Sequence, residues 1–576
     1  MRITCSIFIC FICLSGPLLS AVDYKESDNA RIQSVAAFVS NVLKDAADRY
    51  HTPATPLLAD GVHLVTKEQL KWRFADGTES VISSLSCQQN FFRVLVAMSA
   101  LTGDPRYEKV ARDNIAYYFA NYQEPSGLLQ WGSHRFIDLK SLKVVGPLNK
   151  SLMHEIKSVL PFYELMYEVD AKATEHLVTG IWRQHVLTEN GLMFDRHNAY
   201  EKSGSFCWDG VKDCEDEAFR ERVGLTFITT GDDLVYSAAM LGVLSKDPRP
   251  WQWGCRLAGL YQKARDPNTH LGVYQFSNVK KLEDESTARS PERRYMSKYG
   301  DRAARQIGTL DGFEVTEKSL LFVGQAHAVY AKHSLMQLHL ASLKQEESTP
   351  YIDWTTTGLK AFAKYAYVPD SNHFKPLLTN GRDMTGYKLL RDGYFGKSGT
   401  EIGQQYQATG DFLLAYVRAY CAASDAELWS VIRSMAKGLG VGDVGDGAGN
   451  EIAIDVKRSC EDPAILFALI DLYKKTGSTE YLEGARIVGD NITADKFRSG
   501  FFVNSRSAKY ANIDAIEPLA LLALEAAIRG KSVLVPEYIG STGFIHGEYL
   551  SKTGKLRNIV DKALYITVDN EVGISK

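Results

Sequence analysis

Amphipathic helix recurs along the whole chain, and this recurrence constrains the fold more than any other feature of the sequence. In residues 30–50, Ile32, Val35, Val39 and Val42 are spaced three or four residues apart, which places them on one apolar stripe of a helix. Similar stripes occur near 86–102, 105–121, 152–169, 171–186, 217–245, 317–344, 353–366, 402–421, 425–438, 461–475, 478–492 and 513–529. Strand patterns are rare, and the best of them, TGFIHGEYL and KALYITVD, lie near the C-terminus. An all-α fold is therefore predicted.

Two distant segments resemble each other and predict how these helices pair. TGDPRYEKVARDNI starts at Thr102 and TGSTEYLEGARIVGDNI starts at Thr476, and both read as a short glycine turn between two helices. Repeated helical hairpins bury their apolar stripes only by stacking on neighbouring hairpins, which gives a solenoid or a closed ring. We predict an α/α toroid, because no Pro- or Ser-rich linker divides the chain. Residues 22–576 are expected to form one domain with a C-terminal β-containing segment at about 530–576.

The first residues have the order of a secretory signal peptide. Arg2 is followed by an apolar run from Ile3 to Cys13, and the small residues Ser20 and Ala21 mark the expected cleavage point. We therefore assign residues 1–21 to a signal peptide and expect an exported protein, either periplasmic or extracellular. No later segment has the length and apolarity of a membrane span.

The charge balance excludes a general polyanion binder. Lys and Arg total 66 and Asp and Glu total 69, so the formal net charge is −3. Such a chain has no overall attraction for nucleic acid or for an anionic membrane, and an anionic ligand needs a local site. Gly440, Gly442 and Gly445 match a dinucleotide-binding pattern, but a predicted helix precedes them and a flexible loop is the better interpretation.

One stretch combines residue types that bind metals. His134, His154 and His197 occur within a short part of the chain that also contains Glu155. Two imidazoles and a carboxylate would form a three-ligand site with open positions, which suits Mn, Co, Ni or Zn better than calcium. The alternative, in which these side chains cap helices or satisfy polar groups of the core, stays open at this point.

The same stretch resembles a known family. The run WGSHRFIDLKSLKVVGPLNKSLMHEIKSVLPFYELMYEVD, followed by FDRHNAY, is similar to the metal-dependent pectate lyases of polysaccharide lyase family 2. The resemblance continues through TPLLADGVHL (55–64), KYGDRAARQIG (298–308) and residues 500–531. It implies an α/α toroid of seven helical hairpins with a small β-rich flap. It also implies cleavage of α-1,4-polygalacturonate or its oligomers by β-elimination to 4,5-unsaturated products.

The resemblance assigns roles to individual residues. It implies that His134, Glu155 and His197 hold a divalent metal, with Mn, Co or Ni favoured, Zn as a further candidate and calcium disfavoured. It implies that Arg196 is the catalytic base. Arginine is an unusual base because its ordinary pKa exceeds 12. In the alternative role, Arg196 would bind a substrate carboxylate through two parallel hydrogen bonds.

Three further residues are candidates for substrate binding. Arg302 and Arg135 are cations that could bind uronate carboxylates, and Trp131 could stack on a sugar ring. Each also has an ordinary structural role open to it, as a surface or capping charge or as a core aromatic. The expected partner is pectate or an oligogalacturonate, and the expected assembly is a monomer. Exo-action that releases disaccharides is one candidate mode of cleavage, and endo-action stays open.

Two alternative functions stay open. The first is a glycoside hydrolase on a similar toroid, which needs two carboxylates about 5–10 Å apart. Asp232 and Asp233 are adjacent in sequence, and neighbouring positions of a helix point apart. The second is a non-catalytic protein that binds sugar.

Overall fold

The computed structural model of the protein describes residues 25–73, 78–131, 135–146, 153–156, 159–189, 192–200, 206–209, 228–272, 301–321, 326–344, 349–541, 543, 545–550 and 556–562. These ranges contain fifteen α-helices: α1 (Glu26–Asp45), α2 (Gln89–Thr102), α3 (Arg106–Tyr122), α4 (Tyr163–Val169), α5 (Ala171–His185), α6 (Ile228–Ser245), α7 (Pro248–Lys263), α8 (Arg302–Gln306), α9 (Ala326–Leu343), α10 (Thr349–Tyr365), α11 (Gly410–Ala423), α12 (Ala426–Gly438), α13 (Pro463–Thr476), α14 (Thr479–Lys496) and α15 (Glu517–Ile528). None of the described helices has both the length and the apolarity needed to cross a membrane.

The strands of the described residues are short. They are β1 (Gly61–His63), β2 (Lys71–Arg73), β3 (Glu79–Ser83), β4 (Phe136–Asp138), β5 (Val144–Val145), β6 (Met153–Glu155), β7 (Val186–Thr188), β8 (Met193–Phe194), β9 (His197–Ala199), β10 (Thr309–Leu310), β11 (Phe313–Glu314), β12 (Tyr367–Val368), β13 (His373–Phe374), β14 (Tyr406–Gln407), β15 (Gly442–Asp443), β16 (Ala453–Ile454), β17 (Phe497–Arg498), β18 (Phe501–Phe502), β19 (Tyr510–Asn512), β20 (Ile545–Leu550) and β21 (Leu556–Lys562). All strand pairs are antiparallel, and the largest sheet has the order β2-β3-β4-β5.

Local sequence signals set the helix ends. Gly103 and Gly477 end α2 and α13 with a φ of 76° each, a left-handed conformation that glycine adopts without steric cost. Each is followed within three residues by the next helix. The predicted glycine turns between paired helices are therefore confirmed. Asp247 and Asp462 cap the helices that start at Pro248 and Pro463, because each carboxylate accepts a backbone N–H of the first turn.

Helix packing forms a closed ring. The described helices pair as seven hairpins: α2 with α3, α4 with α5, α6 with α7, α9 with α10, α11 with α12, α13 with α14, and α15 with α1. The first helix of each pair lies on the inside of the ring. The inner helices α4, α6, α9, α11, α13 and α15 pack on one another in this order, and α15 also packs on α2. The α/α toroid and its seven hairpins, predicted above, are confirmed.

The inner and outer helices differ in burial as a ring requires. All residues of the inner helix α15 except Ala523 are buried, because it contacts neighbours on every side. The outer helix α12 buries one stripe, Leu428, Trp429, Ile432, Met435 and Ala436, and leaves its other residues partly or fully exposed. An amphipathic stripe in the sequence thus indicates an outer helix, and a continuous apolar run indicates an inner one.

The two ends of the ring carry different connections. The chain passes from each inner helix to the next outer helix by a short turn, such as residues 103–105 or 477–478. It returns to the next inner helix through long segments, such as 123–162 and 186–227, which contain the described strands from β1 to β19. We call these ends the short-turn face and the long-loop face. Strands of some neighbouring long segments pair with each other, as β1 does with β19, β3 with β4 and β6 with β9.

Residues 533–541, which we call the axial segment, run along the middle of the ring. Glu537 pairs with His339 of α9 and with Arg418 of α11. Tyr538 stacks on Phe467 of α13 with ring centroids 5.3 Å apart. The segment is therefore enclosed by inner helices, and it fills a space that a hollow ring would leave open.

The axial segment ends at the long-loop face. The hydroxyl of Ser541 donates to the carbonyl of Val159 over 2.6 Å, and Asn90, in the first turn of α2, donates to the carbonyl of Ser541 over 3.1 Å. Beyond it, β20 and β21 form an antiparallel pair in the C-terminal segment for which strands are predicted.

Candidate active site

A two-stranded sheet on the long-loop face carries the predicted chemistry. β6 precedes the inner helix α4 and β9 precedes the inner helix α6, so neighbouring hairpins bring the two strands together. In the antiparallel register, Glu155 lies directly opposite His197. Directly opposed residues lie on the same face of a sheet, about 4.5–5.5 Å apart. The structure thus brings together two residues that are 42 positions apart in the sequence, as the numbers 155 and 197 show.

Arg196 lies beside Glu155. Its Nε atom is 3.2 Å from Oε1 of Glu155, whose side chain has no exposed surface, whereas the arginine side chain keeps 16% of its surface exposed. The carbonyl of Arg196 accepts the N–H of Ile156 over 3.2 Å, which fixes the backbone at the same point. A carboxylate removed from water needs a nearby positive charge, and Arg196 supplies one.

His154 points away from Glu155, because successive strand residues face opposite sides. It is 1% exposed, and its Nδ1 is 2.8 Å from Nε2 of His185 at the end of α5. Nδ1 of His185 is 2.7 Å from the carbonyl of Asp195 and must donate to it, because a carbonyl only accepts. The contact between the two imidazoles, together with the hydrogen bond to Asp195, anchors β6 to the helix ring. Sequence reasoning missed His185, whose one signal is its position at the end of an apolar stripe.

The predicted metal ligands are described only in part. Glu155 is placed, whereas His134 and the side chain of His197 lie outside the described residues. Among the described side chains, no three of His, Cys, Asp and Glu are grouped to hold a metal ion. Two of the three predicted ligands are not among these side chains, so the metal site stays a prediction.

Arg135 lies near the same sheet. It precedes β4 and is half-buried. Burial raises the pKa of Tyr200, which follows β9, and the nearby positive charge of Arg135 partly offsets that rise. Tyr200 is 2% exposed and also meets the ring of His154 edge-on, with centroids 5.4 Å apart. Tyr200 thus lies between Arg135 and the β6–β9 sheet.

Trp131 and Arg302 occupy more enclosed positions. Trp131 is 6% exposed and packs in the main apolar core, so only a small part of its ring is accessible. Arg302 begins α8, pairs with Glu317 and lies 3.8 Å from the ring centre of Tyr394. α8 belongs to a small separate core on the long-loop face. The substrate-binding roles of these two residues stay predictions.

Comparisons with known proteins show which family the chain is similar to. The model of a family described as periplasmic pectate lyase matches residues 55–548. A pectate disaccharide-lyase from Dickeya dadantii (strain 3937) is 33% identical over 502 residues, which cover 86% of this chain and 89% of that protein. Among solved structures, an α-1,2-mannosidase from Trichoderma reesei is similar with a TM-score of 0.45 and 10% identity, covering 92% of this chain and 99% of that one. A GH76 α-mannanase from Bacteroides thetaiotaomicron has a TM-score of 0.40 and 9% identity, covering 87% and 97%.

Proposed function

This chain belongs to the periplasmic pectate lyase family, and on that premise we propose that it cleaves α-1,4-polygalacturonate or oligogalacturonates by metal-assisted β-elimination. The observation that carries the proposal is the sheet in which Glu155 lies opposite His197 and contacts Arg196. A carboxylate, an imidazole-bearing residue and a guanidinium meet there on a face built from long loops. This combination suits an anionic substrate whose negative charge increases during the reaction.

The donor types fit a divalent transition metal. The buried carboxylate of Glu155 lies on the same sheet face as His197, and carboxylate with imidazole is a ligand set of Mn, Co, Ni and Zn rather than of calcium. Glu155 and His197, together with His134, would hold the ion. When bound, a divalent ion would withdraw charge from the uronate carboxylate and make the C5 proton more acidic.

Arg196 is the residue proposed to take the C5 proton, for which its guanidinium must first give up a proton of its own; the charge of a divalent ion held beside it would favour that loss. The electron pair of the C5–H bond then forms the C4–C5 double bond, the C4–O4 bond breaks, and the departing oxygen is protonated by solvent. Glu155 orients Arg196 through its contact with Nε, and the carbonyl of Arg196 is held by Ile156. This fixed position brings the guanidine to the substrate without a further search of side-chain conformations.

Substrate binding and product length follow from the same proposal. Arg135 and Arg302 would bind uronate carboxylates, and Trp131 would contact a sugar ring at the edge that it exposes. The name of the Dickeya relative supports release of disaccharides by exo-action. The family description supports export, at least to the periplasm, and we propose a monomer as the active form.

The test is an assay with polygalacturonate and Mn²⁺, with and without a chelator. We expect the ultraviolet absorbance of the C4–C5 unsaturated uronide to rise with the metal and to stop rising when the chelator is added. Restoring the rate with Mn²⁺, Co²⁺ or Ni²⁺ but not with Ca²⁺ would support the proposed ligand set. Unsaturated digalacturonate as the first product would support exo-action, and a ladder of oligomers would contradict it.

Two outcomes separate the alternatives. New reducing ends without new absorbance would indicate hydrolysis and overturn the elimination. Binding of oligogalacturonate without any product, with every divalent metal tried, would indicate a non-catalytic sugar-binding protein.

A further inference from the structure

A loop on the long-loop face presents an exposed tyrosine that the proposed mechanism does not use. Residues 387–400, which we call the Tyr394 loop, form a hairpin in which the N–H of Leu389 donates to the carbonyl of Thr400 over 2.9 Å. Tyr394, at the tip, is 64% exposed, and Leu390 is 76% exposed. Among the described residues seven large apolar or aromatic side chains are well exposed, and two of them lie on this loop. Exposed apolar groups that lie together mark an interaction site, whereas scattered ones need no explanation.

The tip of the loop is held in one conformation by a buried glutamine of α8. Nε2 of Gln306 donates to the carbonyls of Arg391 over 3.0 Å and of Gly396 over 2.8 Å. Its Oε1 accepts the N–H of Phe395 over 2.8 Å, and the residue is 3% exposed. A Cβ at Gly393 would lie 2.4 Å from the amide carbon of Gln306, so the tip passes too close to α8 for a residue with a side chain. The tip is thus preformed, and little conformational entropy is lost when a ligand binds to it.

One face of the Tyr394 ring is covered and the other is open. The guanidinium of Arg302 lies 3.8 Å from the ring centre, within the range of a cation–π contact. Arg302 is itself 7% exposed and pairs with the buried Glu317, so a second partner fixes its position. Since Tyr394 stays 64% exposed, this contact orients the ring and leaves its opposite face to solvent. A sugar ring, whose C–H groups form an apolar face, can stack there.

Arg391 brings a positive charge close to the tyrosine. Its Nε donates to the carbonyl of Gln306 over 2.9 Å, whereas Tyr394 contacts Arg302, one helical turn earlier in α8. The two contact points are four residues, or about 6 Å, apart along the helix. Arg391 is exposed, and among the described residues its guanidinium donates only to carbonyl oxygens. Its charge is therefore not compensated by a carboxylate of the loop or of α8 and is available to an anion.

Two further cations add to this charge. Lys397 on the tip and Arg305 on α8 are exposed, and neither pairs with a carboxylate of the described residues. Asp392 is the one carboxylate among residues 391–397, and it accepts the N–H of Ser398 over 2.8 Å. Three cations thus stand against one carboxylate around an exposed aromatic ring. An anionic sugar polymer complements both the charge and the ring, whereas a neutral sugar or an apolar partner complements only one of them.

The Tyr394 loop lies on the same face of the ring as the β6–β9 sheet. The segment 366–409, which contains the loop, precedes α11, and the segments that contain β6 and β9 precede α4 and α6. α6, α9 and α11 are successive inner helices. Because packed helices lie about 8–10 Å apart, the loop and the sheet are separated by on the order of 10–20 Å. A chain of several uronate residues can contact both.

We propose that the Tyr394 loop is an outer subsite for a polyuronate chain. The open face of Tyr394 stacks on one sugar ring, and Arg391, with the nearby cations of Arg305 and Lys397, binds carboxylates of that ring or of its neighbours. The subsite holds the chain away from the point of cleavage and contributes to the affinity for long substrates. The proposal rests on the substrate class proposed above, but not on the elimination chemistry or on the metal.

The experiment is affinity electrophoresis of the full chain in native gels that contain polygalacturonate and a chelator, so that retardation measures binding without cleavage. The decisive variant is Tyr394→Ala, which we expect to weaken binding about 3- to 10-fold, the range for the loss of one stacked ring. Tyr394→Phe keeps the ring and should bind like the wild type. Arg391→Gln should weaken binding about 2- to 5-fold, and this effect should shrink at high salt. The matched control is Arg106→Gln, which removes a positive charge that is 86% exposed at the short-turn face and should leave binding unchanged.

Four results would overturn the proposal. They are equal retardation of Tyr394→Ala and the wild type, an equal loss of binding in Tyr394→Phe and Tyr394→Ala, equal binding of fully methyl-esterified pectin, which keeps the rings and lacks the charges, and a change of sedimentation mass in Tyr394→Ala without a change of retardation. The last result would identify the loop as an interface between two copies of the chain. If the wild type binds through Tyr394 but forms no unsaturated product with any metal, the proposed lyase function fails and the subsite stands.

Discussion

One buried carboxylate joins two outer helices of the ring, and its removal should destabilise the whole protein. Asp28 lies in the first turn of α1 with no exposed side-chain surface. It receives Nη2 of Arg486 at 3.1 Å and Nε at 3.2 Å, and it also pairs with Arg31. Arg486 belongs to α14, so this cluster joins the helix at the start of the ring to one near its end. Both arginine side chains are at most 4% exposed.

We predict that Asp28→Asn lowers the free energy of unfolding by about 3–5 kcal/mol, the range for breaking a buried ion pair from one side. The amide keeps the shape of the carboxylate but leaves two buried guanidinium groups without their shared anion. Asp490, which is 46% exposed, also pairs with Arg31, so Arg31 keeps one counterion in this variant. The expected loss of unfolding free energy is therefore near the lower end of that range. Urea unfolding followed by tryptophan fluorescence, with recovery on dilution, measures the difference.

The control is Glu483→Gln, which removes a carboxylate that also pairs with Arg486 but is 45% exposed. Exposed ion pairs contribute about 0–1 kcal/mol, so this variant should unfold close to the wild type. The double variant Asp28→Leu with Arg486→Met should regain only part of the loss, because it removes the buried charge of Arg486 but leaves Arg31 with Asp490 as its one counterion. If Asp28→Asn and Glu483→Gln shift the urea midpoint equally, burial does not set the strength of this cluster and the reasoning is refuted.

Three further variants test the site, the axis and the helix packing. Arg196→Lys should lower kcat of polygalacturonate cleavage about 100-fold or more with little change in KM if Arg196 is the base, whereas a rise in KM alone would indicate a carboxylate clamp. The raised pKa of His339, from 6.5 to about 9, stabilises the fold below pH 6.5, and this contribution is lost as the pH rises through 9. We measure the free energy of unfolding of the wild type and of His339→Gln by urea titration at acid and at alkaline pH. The difference between the two proteins should be smaller at alkaline pH, by up to roughly 3 kcal/mol, and a difference that does not change with pH would contradict this prediction. Gly180→Ala should lower the free energy of unfolding by about 1–3 kcal/mol, because a Cβ there would lie 2.5 Å from the carbonyl oxygen of Ser126. The control is Gly259→Ala on α7, where the nearest neighbour of a Cβ would be 3.8 Å away. This control should be neutral or stabilising in the same assay.

Helix pairing was predictable because its signals are local. The turns at Gly103 and Gly477 are predicted by the glycine itself and by the residues next to it. An apolar stripe on a helix predicts that the helix packs on another element, whichever element that is. The number of hairpins came from the family resemblance, and packing of α15 on α2 closes the ring as that resemblance implies.

The axial segment was not predictable, because its contacts are distant in sequence. Glu537 contacts His339 across 198 positions, and the residues around it, VLVPEYIG, are a short apolar run interrupted by a proline, which indicates no partner. Trp131 illustrates the same limit, because the sequence does not show whether an aromatic side chain packs in the core or lies in solvent. In the structure, Trp131 is buried, with 6% of its surface exposed. Burial depends on the whole ring, which no window of the sequence contains.

The register of the β6–β9 sheet shows how the helix ring controls the candidate site. Glu155 pairs with His197 and His154 pairs with Asn198, so the two sheet faces carry different chemistry. A shift by one residue would put His154 opposite His197 and turn Glu155 towards the core, away from Arg196, because a one-residue slip exchanges the faces of a strand. The 2.8 Å contact between His154 and His185 opposes that shift, since it ties the core side of β6 to the end of α5. Strands of three residues hold their register weakly by themselves, so the geometry around Glu155 is set by a buried histidine on the other face and by the outer helix behind it.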